Sequence, residues 1–321
     1  MSDPGNDTGP AFAVEAIARL SLAASGELAG RDLMSPYVWA LDPAGATGGR
    51  YGLLVRGVPA GGDYKSDTGM IFYGESDDGL HFVMDEQPAI APGHPDDPLG
   101  ALDAGGCEDP TLVIEGGRWI VYYTGVDARR SGGQMLYATG TGPHDLAKQG
   151  VALASSKTEG NTKEATIART AAGQWRLFYE YAREVTPGAW ASLVGLALGE
   201  GVAGPWHEQP QPFAPRPDAW DSWHLSTGPM LTDRPECPVM LYNGATRDAR
   251  WRVGWVAFDK DCTRVVARCI EPLIDPPPRD DRMDPDIAFA ASLVVAGPAR
   301  AWLYYSIGDR ALERATIRRF D

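Results

Sequence analysis

The 321-residue chain lacks most of the signatures that announce a metal, a nucleotide or a membrane. Its four cysteines, Cys107, Cys237, Cys262 and Cys269, form no CxxC pair and have no histidine at ligand spacing, so no metal site is expected. No GxGxxG opens a helix, and no cofactor is expected. Basic residues are scarce: 29 Lys and Arg stand against 43 Asp and Glu, a formal net charge of −14. A surface for nucleic acid or anionic lipid needs a positive field, so neither partner is expected. No apolar run approaches the roughly 20 residues of a membrane span. The opening MSDPGNDTGPAFAVEA has no basic segment followed by an apolar one, which points to the cytoplasm. Cys262 and Cys269 are spaced to meet across a hairpin, but reduced core thiols suit that compartment better.

Helical periodicity is also scarce. Only residues 11 to 24, with Ala, Glu, Ile and Leu, are expected to form one short helix behind a polar leader. That reading sets residues 1–33 apart from one large domain, 34–321. The domain reads as strand after strand between Gly, Asp and Pro turns: YGLLVRG, GMIFYGESDDG, RWIVYYTG, QMLYATGTG, QWRLFYEY, SLVGLALGEG, PVMLYNG and WRVGWVAF. One bulky strand recurs, and aligning its copies puts Val55, Tyr123, Tyr179, Tyr242 and Tyr305 in one register. The spacing of roughly 55 to 70 residues suits one four-stranded sheet with its loops per repeat. Five such units predict an all-β, five-bladed β-propeller; an immunoglobulin-like sandwich would not repeat at this period.

In a propeller the innermost strand of each blade lines the axis, and it should lie roughly 15 residues upstream of the aligned position. Reading upstream gives 34–39, 107–113, 161–167, 225–231 and 284–290. Three of these carry carboxylates where a buried strand should not: Glu108 and Asp109, Glu164, and Asp284 and Asp286. Buried carboxylates are costly unless paired or used, so their convergence marks a candidate catalytic site. Each has a plainer explanation: Asp109 bonding the turn before Pro110, Glu164 and Glu180 each paired with Lys163 or on a solvated rim, Arg56 as an ion-pair partner, Asp286 ending a strand. His224 is placed to meet a sugar hydroxyl or to bond backbone, and Trp220 and Trp223 to stack on a pyranose or pack between blades. The segment ARRSGG, 128–133, reads as a solvated loop before it reads as a substrate lid.

GCEDPTLVIEGGRWIVYYTG resembles the EDP strand and the following YYxxYT strand of family 130 glycoside hydrolases, the β-mannoside phosphorylases and mannosidases. These share a five-bladed propeller with families 43 and 32. YGLLVRG resembles the family's LLYR strand, WRVGWVAFDKDCTRVVAR its RLGAALLD segment, and EPLIDP its EPIL-P turn, so the resemblance covers residues 34 to 321. It implies Asp109 as general acid, acting through a sugar hydroxyl relay in an inverting cleavage. It also implies an oligosaccharide substrate, with inorganic phosphate as co-substrate in the phosphorylases. This chain departs from the phosphorylase pattern. Tyr179 and Glu180 stand where HR is expected, Tyr242, Asn243 and Gly244 where YHG is expected, and Thr111 where EDPR has arginine. Such changes remove contacts for a phosphate dianion. Hydrolysis of a β-mannoside is therefore expected, with Glu180 or Glu164 as base and Arg56, Glu108, Lys163, His224, Trp223, Asn243 and Asp286 as substrate contacts. Phosphorolysis through Arg56 and Lys163, and a non-catalytic sugar-binding propeller, are the alternatives.

Overall fold

A computed structural model describes residues 10–41, 49–61, 68–157, 161–278 and 286–320. Among these residues the chain is nearly all β, folded as a five-bladed β-propeller, and the only helical turns are Gly26–Leu28 and Gly100–Leu102. From the axis outward, blade 1 is Arg31–Ala40, Tyr51–Pro59, Met70–Ser76 and His81–Ile90, with Ser21–Ala23 added in parallel at its edge. Blade 2 is Gly106–Glu115, Arg118–Val126, Gly133–Gly140 and Ala147–Leu153. Blade 3 is Thr162–Arg169, Trp175–Thr186, Ala189–Gly199 and Trp206–Glu208.

Blade 4 is interrupted into two sheets, one starting from His224–Ser226 and the other from Met230–Leu231. The break falls at Thr227, Gly228 and Pro229. A Cβ on Gly228 would lie 1.8 Å from the Leu241 carbonyl oxygen, so only glycine fits there. Blade 5 is Ala288–Gly297, Arg300–Ile307 and Ala311–Phe320, and its outer strand is Ala11–Arg19 from the other end of the chain. The helix expected over 11–24 is therefore two strands, Ala11–Arg19 and Ser21–Ala23. Tertiary pairing overrides the helix propensity of the Ala-rich segment: residues 11–19 pair antiparallel with 313–320, and Phe12 and Val14 pack on the blade 5 core.

The aligned positions behave as one register. Val55, Tyr123, Tyr179, Tyr242 and Tyr305 all lie in the second row of their blades and are at most 2% exposed. Each enters the hydrophobic core between its own blade and the preceding one. A ring of side-chain hydrogen bonds to backbone carbonyls closes around the axis: Tyr37 to Leu112 (2.8 Å), Thr111 to Ala165 (2.6 Å), Thr166 to Gly228 (3.0 Å), Asn243 to Ala290 (3.0 Å) and Ser292 to Pro36 (2.7 Å). Every junction between neighbouring blades has one of these bonds. All four cysteines are free thiols.

Candidate active site

Two rows of residues build the site. Side chains alternate along a strand, so the residue after each aligned position faces the other side of its blade; these are Arg56, Thr124, Glu180, Asn243 and Ser306. Each pairs across the sheet with one residue of the innermost strand: Met34, Glu108, Lys163, Ser226 and Phe289. In blades 1, 2 and 3 the innermost strand then bulges, and the bulged residues Ser35, Asp109 and Glu164 adopt left-handed φ of 53°, 52° and 53°. A non-glycine residue there costs on the order of 1 kcal/mol, and such bulges re-aim a side chain. Here they send three equivalent side chains into one cavity of ≈ 220 Å³, together with Arg56, Lys163 and Asp309. Met34, Trp251, Ile287 and Phe289 supply its apolar lining.

Asp109 is 5% exposed. It accepts hydrogen bonds from Ser35 Oγ at 2.9 Å and Thr124 Oγ1 at 3.1 Å, and Arg56 lies 3.9 Å away. Arg56 pairs directly with Glu108 at 2.6 Å, and its buried Nε has no partner among the described residues. Burial works against the Arg56 charge, but Glu108 and Asp109 outweigh it and raise its pKa. Lys163 sits 3.5 Å from Glu180, whose charge holds the ammonium above the usual lysine range against the opposing effect of burial. Burial pushes the Glu164 carboxyl well above the ordinary carboxylate range; Asp109 and Glu180 add to this, and Lys163 and Arg56 only partly offset it. Asp309 is likewise raised by burial, with Arg56 opposing and Asp109 reinforcing. Glu108, Asp109, Glu164, Glu180 and Asp309 thus gather around two cations, Arg56 and Lys163, and within this surplus burial favours the protonated forms of Glu164 and Asp309.

The structure distributes the sequence candidates unevenly. Asp109, Glu164, Arg56 and Lys163 line the cavity, and Glu108 is ion-paired at its edge. Glu180 is 2% exposed and lies behind Lys163. His224 lies behind Trp251, ring centres 5.5 Å apart; its Nδ1 accepts the Ser192 amide at 3.1 Å, so the neutral ring carries its proton on Nε2, and burial lowers its pKa.

Three substrate contacts expected from the sequence are taken up elsewhere. Asn243 is fully buried: its amide donates to Thr227 and Ala290 carbonyls and accepts the Ala290 amide, leaving nothing for a ligand. Asp286 is held by Arg250 Nη1, 2.6 Å from each oxygen, ahead of the innermost strand of blade 5. Trp223 donates to the Trp190 carbonyl and carries the Arg247 guanidinium 4.7 Å over its ring. Trp220 stacks on Tyr242 inside the wall, 5.4 Å between centres. Asp284 lies outside the described residues. Sequence reading missed Asp309, Trp251 and Phe289; Phe289 was within reach, one position before the aligned partner of Tyr305.

No family model matches the chain, and no curated protein matches it. Solved structures do. A glycosyl hydrolase from Bacteroides ovatus is 21% identical with a TM-score of 0.71, covering 89% of this chain and 84% of that one. The β-1,2-mannobiose phosphorylase of Listeria innocua, in complex with β-1,2-mannobiose, is 18% identical with a TM-score of 0.71, covering 92% of each chain. A structure described with the GH130 family of mannoside phosphorylases, and the glycoside hydrolases within it that target β-1,2-mannosidic linkages in Candida mannan, is 20% identical. Its TM-score is 0.73, covering 95% of this chain and 94% of the other.

Proposed function

We propose that this protein is an inverting glycoside hydrolase acting on a β-mannoside. The observation that carries the reading is that Asp109 and Glu164 enter one cavity from equivalent bulges of adjacent blades, in a cluster that retains a proton. Inversion requires one carboxyl group as proton donor and one carboxylate to activate water on the opposite face of the sugar. Asp109 is the donor to the glycosidic oxygen, and Glu164, with Glu180 behind Lys163, activates the water. Trp251 and Phe289 offer an apolar face to the sugar. The raised pKa of Glu164 favours a second assignment, in which Glu164 carries the transferable proton and Asp109 takes the role of base. The free thiols suit a reducing, cytoplasmic compartment.

Hydrolysis is favoured over phosphorolysis by charge. Thr111 is committed to the Ala165 carbonyl and Asn243 to the wall, so neither supplies a phosphate contact. A dianion would have to compete with the cluster's own carboxyl groups for Arg56 and Lys163, and any of them left ionised 4 Å away would repel it by about 4 kcal/mol per unit charge at an effective dielectric of 20. The likeness to the hydrolase and phosphorylase structures supports a mannoside substrate. The test is product analysis on a panel of β-mannosides with and without phosphate. Free reducing sugar at unchanged rate is expected, whereas accumulation of a sugar 1-phosphate would assign phosphorolysis.

A further inference from the structure

A second cavity, of ≈ 800 Å³, adjoins the carboxylate cavity and shares Arg56 and Lys163 with it. Its far wall comes from the ARRSGG segment after the second strand of blade 2, which contributes Arg129 and Arg130. This segment is a built wall. The Arg130 amide bonds the Asp127 carbonyl at 2.9 Å, with Arg130 at a φ of 53°. The Asp127 carboxylate takes the Ser131 amide at 3.0 Å and hydroxyl at 2.6 Å. Asn161 accepts the Gly133 amide at 2.8 Å, and Arg130 Nη1 donates to the Gly105 carbonyl at 2.6 Å. Asp127 is thus spent within the loop. Glu108, already held by Arg56, is the only carboxylate among the described residues that line this lobe. Arg129 is exposed, and its guanidinium makes no ion pair or hydrogen bond among the described residues.

Charge is therefore split between adjoining spaces. Asp109, Glu164 and Asp309 face the smaller cavity, and Arg129 and Arg130 face the larger one, in a chain whose net charge is −14. A glycosidic bond breaks with positive charge growing on the sugar ring and negative charge on the departing oxygen. Carboxylates beneath the ring and arginines on the departing side match that polarity. A guanidinium presented at the mouth of a cavity is also suited to two-pronged recognition of a phosphate or carboxylate.

Resting on the glycosidase reading, we propose that the Arg129–Arg130 lobe binds an oxyanion carried by the substrate, a phosphate or carboxylate on the residue at the leaving side of the scissile bond. The positive lobe then orients an anion that the rest of the surface repels, so that the neutral sugar enters the carboxylate cavity.

The test is calorimetric binding to the Asp109→Asn protein, with four probes: a β-mannosyl-glucose, its glucuronate counterpart, its 6-phosphorylated counterpart, and inorganic phosphate. Both charged disaccharides should bind about tenfold more tightly than the neutral one, the worth of one charge-assisted contact. The advantage should shrink as ionic strength rises to about 0.5 M. Arg129→Ala in the same background should bring the ratio towards one, and Arg129→Lys should retain part of it. Equal affinities, no binding of any probe, or a preference that survives Arg129→Ala would overturn the proposal. So would inorganic phosphate binding as tightly as the sugar anions and being consumed by the wild-type protein, which would make the lobe a co-substrate site. If the wild type cleaves no glycoside while the charge preference stands, the glycosidase reading fails and the anion lobe does not.

Discussion

Two sets of buried and half-buried carboxylates sit in this propeller, and they are built on opposite plans. Inside the blades, four of the aligned positions are tyrosines whose hydroxyls each donate to an acid of the same blade or of the segment leading into it: Tyr123 to Asp103 (3.0 Å), Tyr179 to Glu208 (2.6 Å), Tyr242 to Asp221 (2.6 Å) and Tyr305 to Glu313 (2.6 Å). The acids in this set are well supplied with donors. Asp221 also holds Arg216 and Arg268, and Asp103 holds Lys148 and the Gly93 amide. Burial alone would raise the pKa of Glu208, yet bonds from Ser155, Ser156 and Tyr179 hold it at about 2. At the axis, on the innermost strands, one residue beyond Tyr179 and in the turn after Ile307, five acids share Arg56 and Lys163. A fully partnered acid is a rivet, whereas an under-compensated one stays ready to exchange a proton, so burial by itself does not mark function.

The comparison breaks most sharply if an axial acid proves structural. Asp109→Asn should lower turnover by about 10² to 10⁴, the usual worth of an acid catalyst, while the melting temperature stays near that of the wild type. The loss should shrink on aryl mannosides with good leaving groups if Asp109 is the donor; if it does not and Glu164→Gln shows that pattern instead, the second assignment holds. The next largest effect lies in the other set. Asp221→Asn strands Arg216 and Arg268 in a buried site and should cost about 3 to 5 kcal/mol of stability in a denaturant titration. A variant as stable as the wild type would remove the distinction between the sets.

A smaller effect concerns pH. Glu164 has a folded pKa above its unfolded value near 4.5, so the folded state binds more protons between the two and stability falls as pH rises through that window. Glu164→Gln should therefore be more stable than the wild type at pH 7, with the difference gone below about pH 4. Glu208 has the opposite sign. Its stabilising contribution is present above 4.5 and is lost as pH falls towards 2, so Glu208→Gln should be the weaker protein at neutral pH only. Parallel thermal melts across pH for the two variants check both signs; curves that move together would contradict the contrast.

Much of the fold was legible because one strand per blade repeats with a bulky residue turned into an inter-blade core, and period-2 alternation then aims its successor the other way. Arg56 and Glu180 are such successors, although the sequence pointed to them through the family resemblance, and the innermost strands containing EDP and KEA bring Asp109 and Glu164 to the axis. A motif position gives a place but not a neighbour, which is why Asn243, standing in the YHG-like segment, passed for a ligand contact although the wall consumes it. Asp309 was hidden for a different reason: it sits in a turn after a second-row strand, at a φ of 52°, where its direction depends on turn geometry. The edge strand Ala11–Arg19 was misread because its partner is some 300 residues away and its exposure does not alternate cleanly.

That same strand has a consequence for how the molecule comes to exist. Since residues 11–19 complete the blade made by residues 288–320, the ring cannot close until the segment up to residue 320 has left the ribosome. A strand made early must wait, unpaired, for one made about 300 residues later. Contacts so distant in sequence form slowly, and the waiting partner edge at Ala311–Phe320 can equally accept the same strand from another copy. Crowded synthesis should therefore favour exchanged dimers, joined by a strand that each copy lends to the other.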